Sequence, residues 1–269
     1  MFVTRLISGI VLMVAAIFLL FFGGVWLAAV VGVLSLIGVY ELLRVLGMEK
    51  HPLAVPAYLF TAAYYVLLYL NLSRWSLGLI ILNLVVMLII YVLQYPRFAI
   101  EKVAGTFFAC IYVSVMLSAI YQTRCLNNGH WLVWLIIIGA WGSDTCAYLV
   151  GMLIGKHHFS ELSPKKTVEG CVGGVLGAGL IGFIYSCFFP YHDMFVISPM
   201  LVFSLVAMVS AVISQFGDLA ASAIKRNFEV KDYGNLIPGH GGILDRFDSV
   251  IFVAPFVYYL LVLTSYIHL

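Results

Sequence analysis

Apolar residues run along this chain in nine long blocks, at residues 6–22, 25–43, 52–70, 76–93, 104–121, 131–153, 171–188, 197–219 and 250–268. Each is close to the ~20 residues that a helix needs to cross a hydrocarbon core. Only Gly23 and Gly24 separate the first two blocks. A single helix through both would be over ~55 Å long at 1.5 Å per residue, far more than a ~30 Å core accepts, so a tight Gly-Gly hairpin is expected to divide them. The pattern predicts an all-α, polytopic membrane protein with about nine transmembrane helices.

Composition excludes the alternative of a water-soluble domain. The chain is 64% hydrophobic and 10% charged, against roughly 45–50% and about 25% in soluble proteins. The first block, with Arg5 before it, has the outline of a signal peptide, but no convincing small-residue cleavage site follows it and eight further spans do. Charge then sets orientation. With nine spans, Arg5, Arg44, Lys50, Arg97, Lys102, Lys156, Lys165, Lys166, Lys225, Arg226, Lys231 and Arg246 fall on the side of the N-terminus, and only Arg74 and Arg124 fall opposite. The positive-inside rule therefore predicts a cytoplasmic N-terminus and an external C-terminus. Cys110, Cys125, Cys146, Cys171 and Cys187 show no CxxC or paired spacing and read as packing residues.

The polar residues are unevenly placed. The first five blocks are joined by short loops and carry little polar chemistry, so residues 1–130 read as a transmembrane scaffold, with Glu41 snorkelling or capping at a helix end. Residues 131–269 read as the catalytic region of the same membrane-embedded unit, with function concentrated between 140 and 250. No duplicated half with matching broken helices is visible.

Within that region Asp144 lies inside an apolar block, where a carboxylate costs several kcal/mol unless it meets water, a cation or a partner. A polar cavity is expected there; a structural hydrogen bond to Ser143, Thr145 or Tyr148 is the plainer alternative. Asp218, Ser222 and Lys225 follow at helical spacing and form one stripe of acid, hydroxyl and amine, suited to a metal beside a phosphate. Asp218 alone could bind a metal or simply pair with a base. Asp245 and Asp248, at i and i+3, share a helix face and can chelate one hard cation. Gly241 and Gly242 precede them, where a bare backbone permits close approach and exposed N–H groups attract anions. His240 could donate to a phosphate or cap the turn. Lys165, Lys166 and Thr167 stand just before a helix beginning near Glu169, in reach of a polyphosphate or as ordinary positive-inside residues. The spacings Gly170/Gly174 and Gly173/Gly177 favour close helix packing.

Eight Asp, Glu, Lys and Arg residues crowd into residues 222–249, in a chain with only 14 basic and 12 acidic residues. This stretch, "SAIKRNFEVKDYGNLIPGHGGILDRFDS", closely resembles the signature of the phosphatidate cytidylyltransferases, or CDP-diacylglycerol synthases: S-x-x-K-R, then K-D, then P-x-H-G-G-x-x-D-R-x-D. Ser222, Lys225, Arg226, Lys231, Asp232, Pro238, His240, Gly241, Gly242, Asp245, Arg246 and Asp248 fill those positions. The upstream "SDTCAYLVGMLIGKHHFSELSPKKTVEG" is similar to a second stretch of the same family, so the resemblance covers roughly residues 140–250.

The resemblance implies transfer of CMP from CTP to phosphatidic acid, with release of pyrophosphate, in a bacterial plasma membrane, and the charge bias puts the polar groups at its cytoplasmic face. The resemblance also implies a magnesium requirement with potassium beside it, and a homodimer; no nucleic acid is expected as a partner. On this reading Lys225, Arg226, Asp245 and Asp248 are catalytic, and Asp144, Asp218, Asp245 and Asp248 are the metal candidates. Lys165, Lys166, Thr167, Ser222, Lys231, His240, Gly241, Gly242 and Arg246 would bind substrate. Two alternatives fit the residues less well. A CDP-alcohol phosphotransferase would need D-G-x-x-A-R and G-x-x-x-D-x-x-x-D spacings that this chain lacks. An ion-coupled transporter using Asp144 and Asp218 would be favoured by paired broken helices, and the one-sided polar loop argues against it.

Overall fold

The computed structural model describes residues 13–160, 162–190, 194–195, 197–236 and 241–266. Among these, nine helices follow one another: α1 (Met13–Phe22), α2 (Gly24–Val45), α3 (Ala54–Tyr69), α4 (Ser76–Leu93), α5 (Ile100–Arg124), α6 (Gly129–Ile154), α7 (Val168–Ser186), α8 (Pro199–Asn227) and α9 (Leu244–Tyr266). Seven helical segments of the described residues are long and apolar enough to cross a membrane, whereas α1 and α3 are shorter. The expected first span begins in residues outside those described. The predicted break between the first two blocks is present, with Gly23 and Gly24 both at positive φ, 63° and 56°, values that cost glycine little and a side chain much more.

Two differences from the sequence reading matter for function. The basic stretch between α6 and α7, which the apolar pattern leaves as a mere connection between two blocks, contains an antiparallel hairpin of β1 (His158–Ser160) and β2 (Ser163–Thr167). Glu169, in the first turn of α7, pins the approach to this hairpin by accepting from the main-chain N–H groups of Lys156 and His157 and from the His157 ring. Helix α9 begins at Leu244, six residues before the expected apolar block, so Asp245 lies in its first turn.

The described contacts form two compact units. One takes the described part of Met1–Tyr121 together with Lys225–Phe247; the other takes Gln122–Ile224 with the described part of Asp248–Leu269. Inside the first unit a buried polar relay ties α2, α3 and α5. Ser35 Oγ lies 2.7 Å from the Tyr65 hydroxyl, Tyr65 donates to the Ser114 carbonyl at 3.2 Å, and Thr61 Oγ1 lies 2.7 Å from Ser114 Oγ. Such contacts satisfy hydroxyls that would otherwise be stranded among apolar side chains.

Inside the second unit small residues set the spacing. A methyl placed on Gly173 would come 2.5 Å from Val150, and one on Gly177 2.5 Å from Cys146 Sγ. The glycine spacing therefore serves packing of α7 on α6, as expected. Gly139 of α6 meets Ser210 of α8 in the same way. A π-helical turn at Ile138–Gly142 ends two residues before Asp144, shifting the helical register just ahead of the acid. All five cysteines are free thiols.

Candidate active site

In the second unit, α6, β2, α7 and α8 enclose a cavity of about 530 Å³. Asp144, Lys166, Thr167, Gln215 and Asp218 are among its lining, with apolar wall from Ala147, Tyr148, Gly151 and Met152. The expectation that Asp144 faces a polar cavity is met. Lys166 Nζ lies 2.7 Å from Asp218 Oδ2, but its ammonium makes no aligned hydrogen bond among the described residues. It is an ion pair with donor capacity to spare. Gln215 donates to the Cys171 carbonyl at 3.0 Å, which anchors its amide between α8 and α7.

Thr167 has a structural task as well. It is the N-cap of α7, and its Oγ1 accepts from Gly170 N at 3.1 Å. Capping satisfies one of the N–H groups that the first helical turn leaves without an internal partner. Near the cavity residues in sequence, the hydroxyls of Ser143 and Ser214 are buried without a hydrogen-bond partner among the described residues, and each precedes a cavity-lining residue, Asp144 or Gln215.

The first unit holds the other acidic group. Asp245 is buried, with 2% of its side chain exposed, and receives three donors. Lys225 Nζ lies 2.9 Å from Oδ1, while Tyr233 N and Gly242 N donate to Oδ2 at 2.8 and 3.0 Å. Lys225 also stands 5.4 Å from the centre of the Tyr233 ring, a cation–π distance. Gly241 adopts φ +83°, and a methyl on it would come 2.9 Å from Asp245 Oδ2. The glycines were expected to let the backbone approach a ligand. What approaches them in this structure is the chain's own carboxylates: a methyl on Gly242 would come 2.6 Å from Glu41 Oε2.

Glu41 is the residue that sequence reasoning undervalued. It does not snorkel: it is 3% exposed, and its two oxygens accept from Ile243 N at 3.0 Å and Leu244 N at 2.9 Å. The capping alternative is met instead, on α9, about two hundred positions away in sequence. The available signal was the one used for Asp144, an acid inside an apolar block.

The remaining predicted residues are dispersed. Ser222 is half-buried on α8, and Arg226, Lys231 and Arg246 are exposed. Lys165 lies in β2. Asp248 accepts from Ser249 N at 2.8 Å through Oδ1. His240 and Pro238 lie outside the described residues. Helix α8 thus carries Asp218 and Lys225 as expected, but Asp218 pairs with Lys166 and Lys225 with Asp245.

Among the described residues no three His, Cys, Asp or Glu side chains stand together as a ready metal cage. A magnesium ion does not need one. It is commonly held by one or two carboxylates, with substrate phosphates and water completing its shell. Asp144 and Asp218 in one cavity supply that number, and the donor set fits a hard cation that shares its shell with a nucleotide. Asp245 is a poorer fit in this arrangement, because Lys225 and two main-chain N–H groups already occupy its oxygens.

Comparison with known proteins agrees across almost the whole chain. A family model described as "Cytidylyltransferase family" matches residues 3–264. A phosphatidate cytidylyltransferase of Bacillus subtilis is 32% identical over 97% of this chain and 98% of its own length. Proteins of the same name from Staphylococcus epidermidis and Staphylococcus aureus are 34% and 33% identical, covering 97% and 96% of this chain.

Proposed function

The chain belongs to the cytidylyltransferase family, and from that membership we infer that it transfers CMP from CTP to phosphatidic acid, yielding CDP-diacylglycerol and pyrophosphate for phospholipid synthesis. It is a multi-pass membrane enzyme with bacterial relatives. Nothing favours the ion-coupled transporter.

The observation that carries the site is the convergence of Asp144, Asp218 and Lys166 on one cavity. Phosphatidic acid needs little activation, since a phosphomonoester with a second pKa near ~6 is largely dianionic at neutral pH. The obstacle is repulsion between two anions. Lys166, ion-paired on one side only, is placed to hold a nucleotide phosphate and to stabilise the departing pyrophosphate. Asp144 and Asp218 would hold magnesium, which supplies charge neutralisation of the CTP phosphates when bound. Lys225 and Asp245, which the family signature makes catalytic, form a buried ion pair, with Arg226, Lys231 and Arg246 as exposed cations for the lipid headgroup or nucleotide. The side bearing these cations is assigned to the cytoplasm by the positive-inside rule. Cysteines introduced at residues 162–169 and 190–195 should label from opposite sides of the membrane. A homodimer is part of the same proposal, to be checked by the mass of the purified protein in detergent.

The central test is transfer from labelled CTP to phosphatidic acid by purified protein, with and without chelator. Product that needs both substrates and disappears on chelation supports the reaction and the metal together. Product that persists under chelation keeps the reaction and removes the metal.

A further inference from the structure

We propose that Glu41 is a positioning residue of the reaction, holding Asp245 in place by capping the helix that carries it. The proposal rests on the catalytic role that the family signature gives Asp245. A carboxylate inside an apolar helix costs several kcal/mol unless it is paired, and Glu41 is paired in a specific way. Each of its oxygens takes one main-chain N–H, from Ile243 and Leu244. These groups open α9, where N–H donors lack helical acceptors and the helix dipole favours negative charge. Asp245 is the next residue after Leu244, so the two bonds fix the backbone from which its carboxylate projects.

Arg44 braces the same segment from one turn further along α2. Its Nη2 donates to the Tyr233 carbonyl at 2.6 Å, and Tyr233 N in turn donates to Asp245 Oδ2. Glu41 and Arg44 thus reach Asp245 by two routes, one through the start of its helix and one through a main-chain donor. Both lie in a helix whose other residues are almost wholly apolar. Gly242 leaves the room that the Glu41 carboxylate fills. Displacement of a reacting constellation by about 1 Å can cost roughly 10²-fold in rate, which is the scale of effect expected from losing the cap.

The experiment compares wild type, Glu41→Gln, Glu41→Asp and Asp245→Asn, purified in one detergent, by CMP transfer and by amide hydrogen exchange resolved to peptides. Glu41→Gln keeps the shape but sets an NH₂ group against a main-chain donor. The expected result is a kcat lower by about 10²-fold, a KM for CTP within about twofold of wild type as befits a group remote from uniform substrate binding, and faster exchange confined to residues 241–247. Glu41→Asp, which keeps both acceptors and the charge, should recover a large part of the loss. Wild-type kcat in folded Glu41→Gln protein would overturn the proposal, as would a kcat loss with no change in exchange at 241–247. So would a loss accounted for by a lower folded fraction. Should Glu41→Gln fail to fold, Arg44→Gln carries the test: reduced kcat with faster exchange around Tyr233 and Asp245 supports the brace, and unchanged kcat sinks it. Asp245→Asn separates the two levels. If that variant keeps wild-type turnover, the reading of the site itself is at fault; if it is inactive while Glu41→Gln is normal, only the positioning role of Glu41 is lost.

Discussion

Asp245 lies in the signature stretch and Asp218 four residues before it, yet the two are satisfied in opposite ways. Asp245 has a lysine and two main-chain N–H groups on its two oxygens and is almost sealed from solvent. Asp218 has Lys166 on one oxygen, keeps 29% of its side chain exposed, and faces a cavity. The first arrangement leaves little capacity for a ligand; the second leaves a great deal. A closed carboxylate of this kind resists change, because removing one partner of a buried pair strands the other charge. An open one is available for chemistry.

The contrast is broken most directly at the open acids. On the proposed metal role, Asp144→Asn and Asp218→Asn should each lower kcat on the order of a thousandfold, since losing a hard-cation ligand removes several kcal/mol of charge stabilisation. Their thermal midpoints should stay near wild type. A variant with intact turnover at low magnesium would return that acid to a structural role. Asp245→Asn should behave differently, losing stability on the order of 3 kcal/mol as Lys225 is left unpaired, together with turnover. Denaturant or thermal unfolding of the purified variant checks this, and an unchanged midpoint would erase the distinction between the two acids.

Smaller effects sharpen the cavity side. Lys166→Ala should raise the apparent KM for CTP by about tenfold, the scale of one charge-assisted phosphate contact, with a lesser change for phosphatidic acid. Equal KM values in the two proteins would leave Lys166 as a topology determinant. Thr167→Ala should cost about 1 kcal/mol through the lost N-cap of α7, measurable as a lower midpoint with kcat nearly kept. A large fall in kcat there would point to substrate contact by the hydroxyl.

The legible features were those with a local cost. Asp144 announced a cavity because an acid in an apolar block must be accommodated, and the Gly173 and Gly177 spacing announced close packing because i and i+4 share a face. The Gly23-Gly24 break followed from helix length alone. Pairings across long sequence separations were not legible. Nothing in the apolar pattern of α2 tells that Glu41 reaches Ile243 and Leu244, or that Lys166 meets Asp218 while Lys225 meets Asp245. The β1–β2 hairpin was hidden for a different reason: its strands are three and five residues long, rich in His, Ser, Lys and Pro, and lack the alternation by which strands are recognised.

Helix α8 has 29 residues, which makes it about 43 Å long at 1.5 Å per residue, some ~13 Å more than the hydrocarbon thickness of a bilayer. The surplus is not shared between its ends. From Pro199 to Ser214 the helix holds no charged residue, whereas Gln215, Asp218, Ser222, Lys225 and Arg226 crowd the last turns. Hydrophobic matching therefore pushes the excess out at the Asn227 end and carries the closing cations to the depth of the lipid headgroups. A phospholipid could meet them there with its acyl chains still in the bilayer, so that the thickness of the membrane acts as the gauge that sets the height of the reaction.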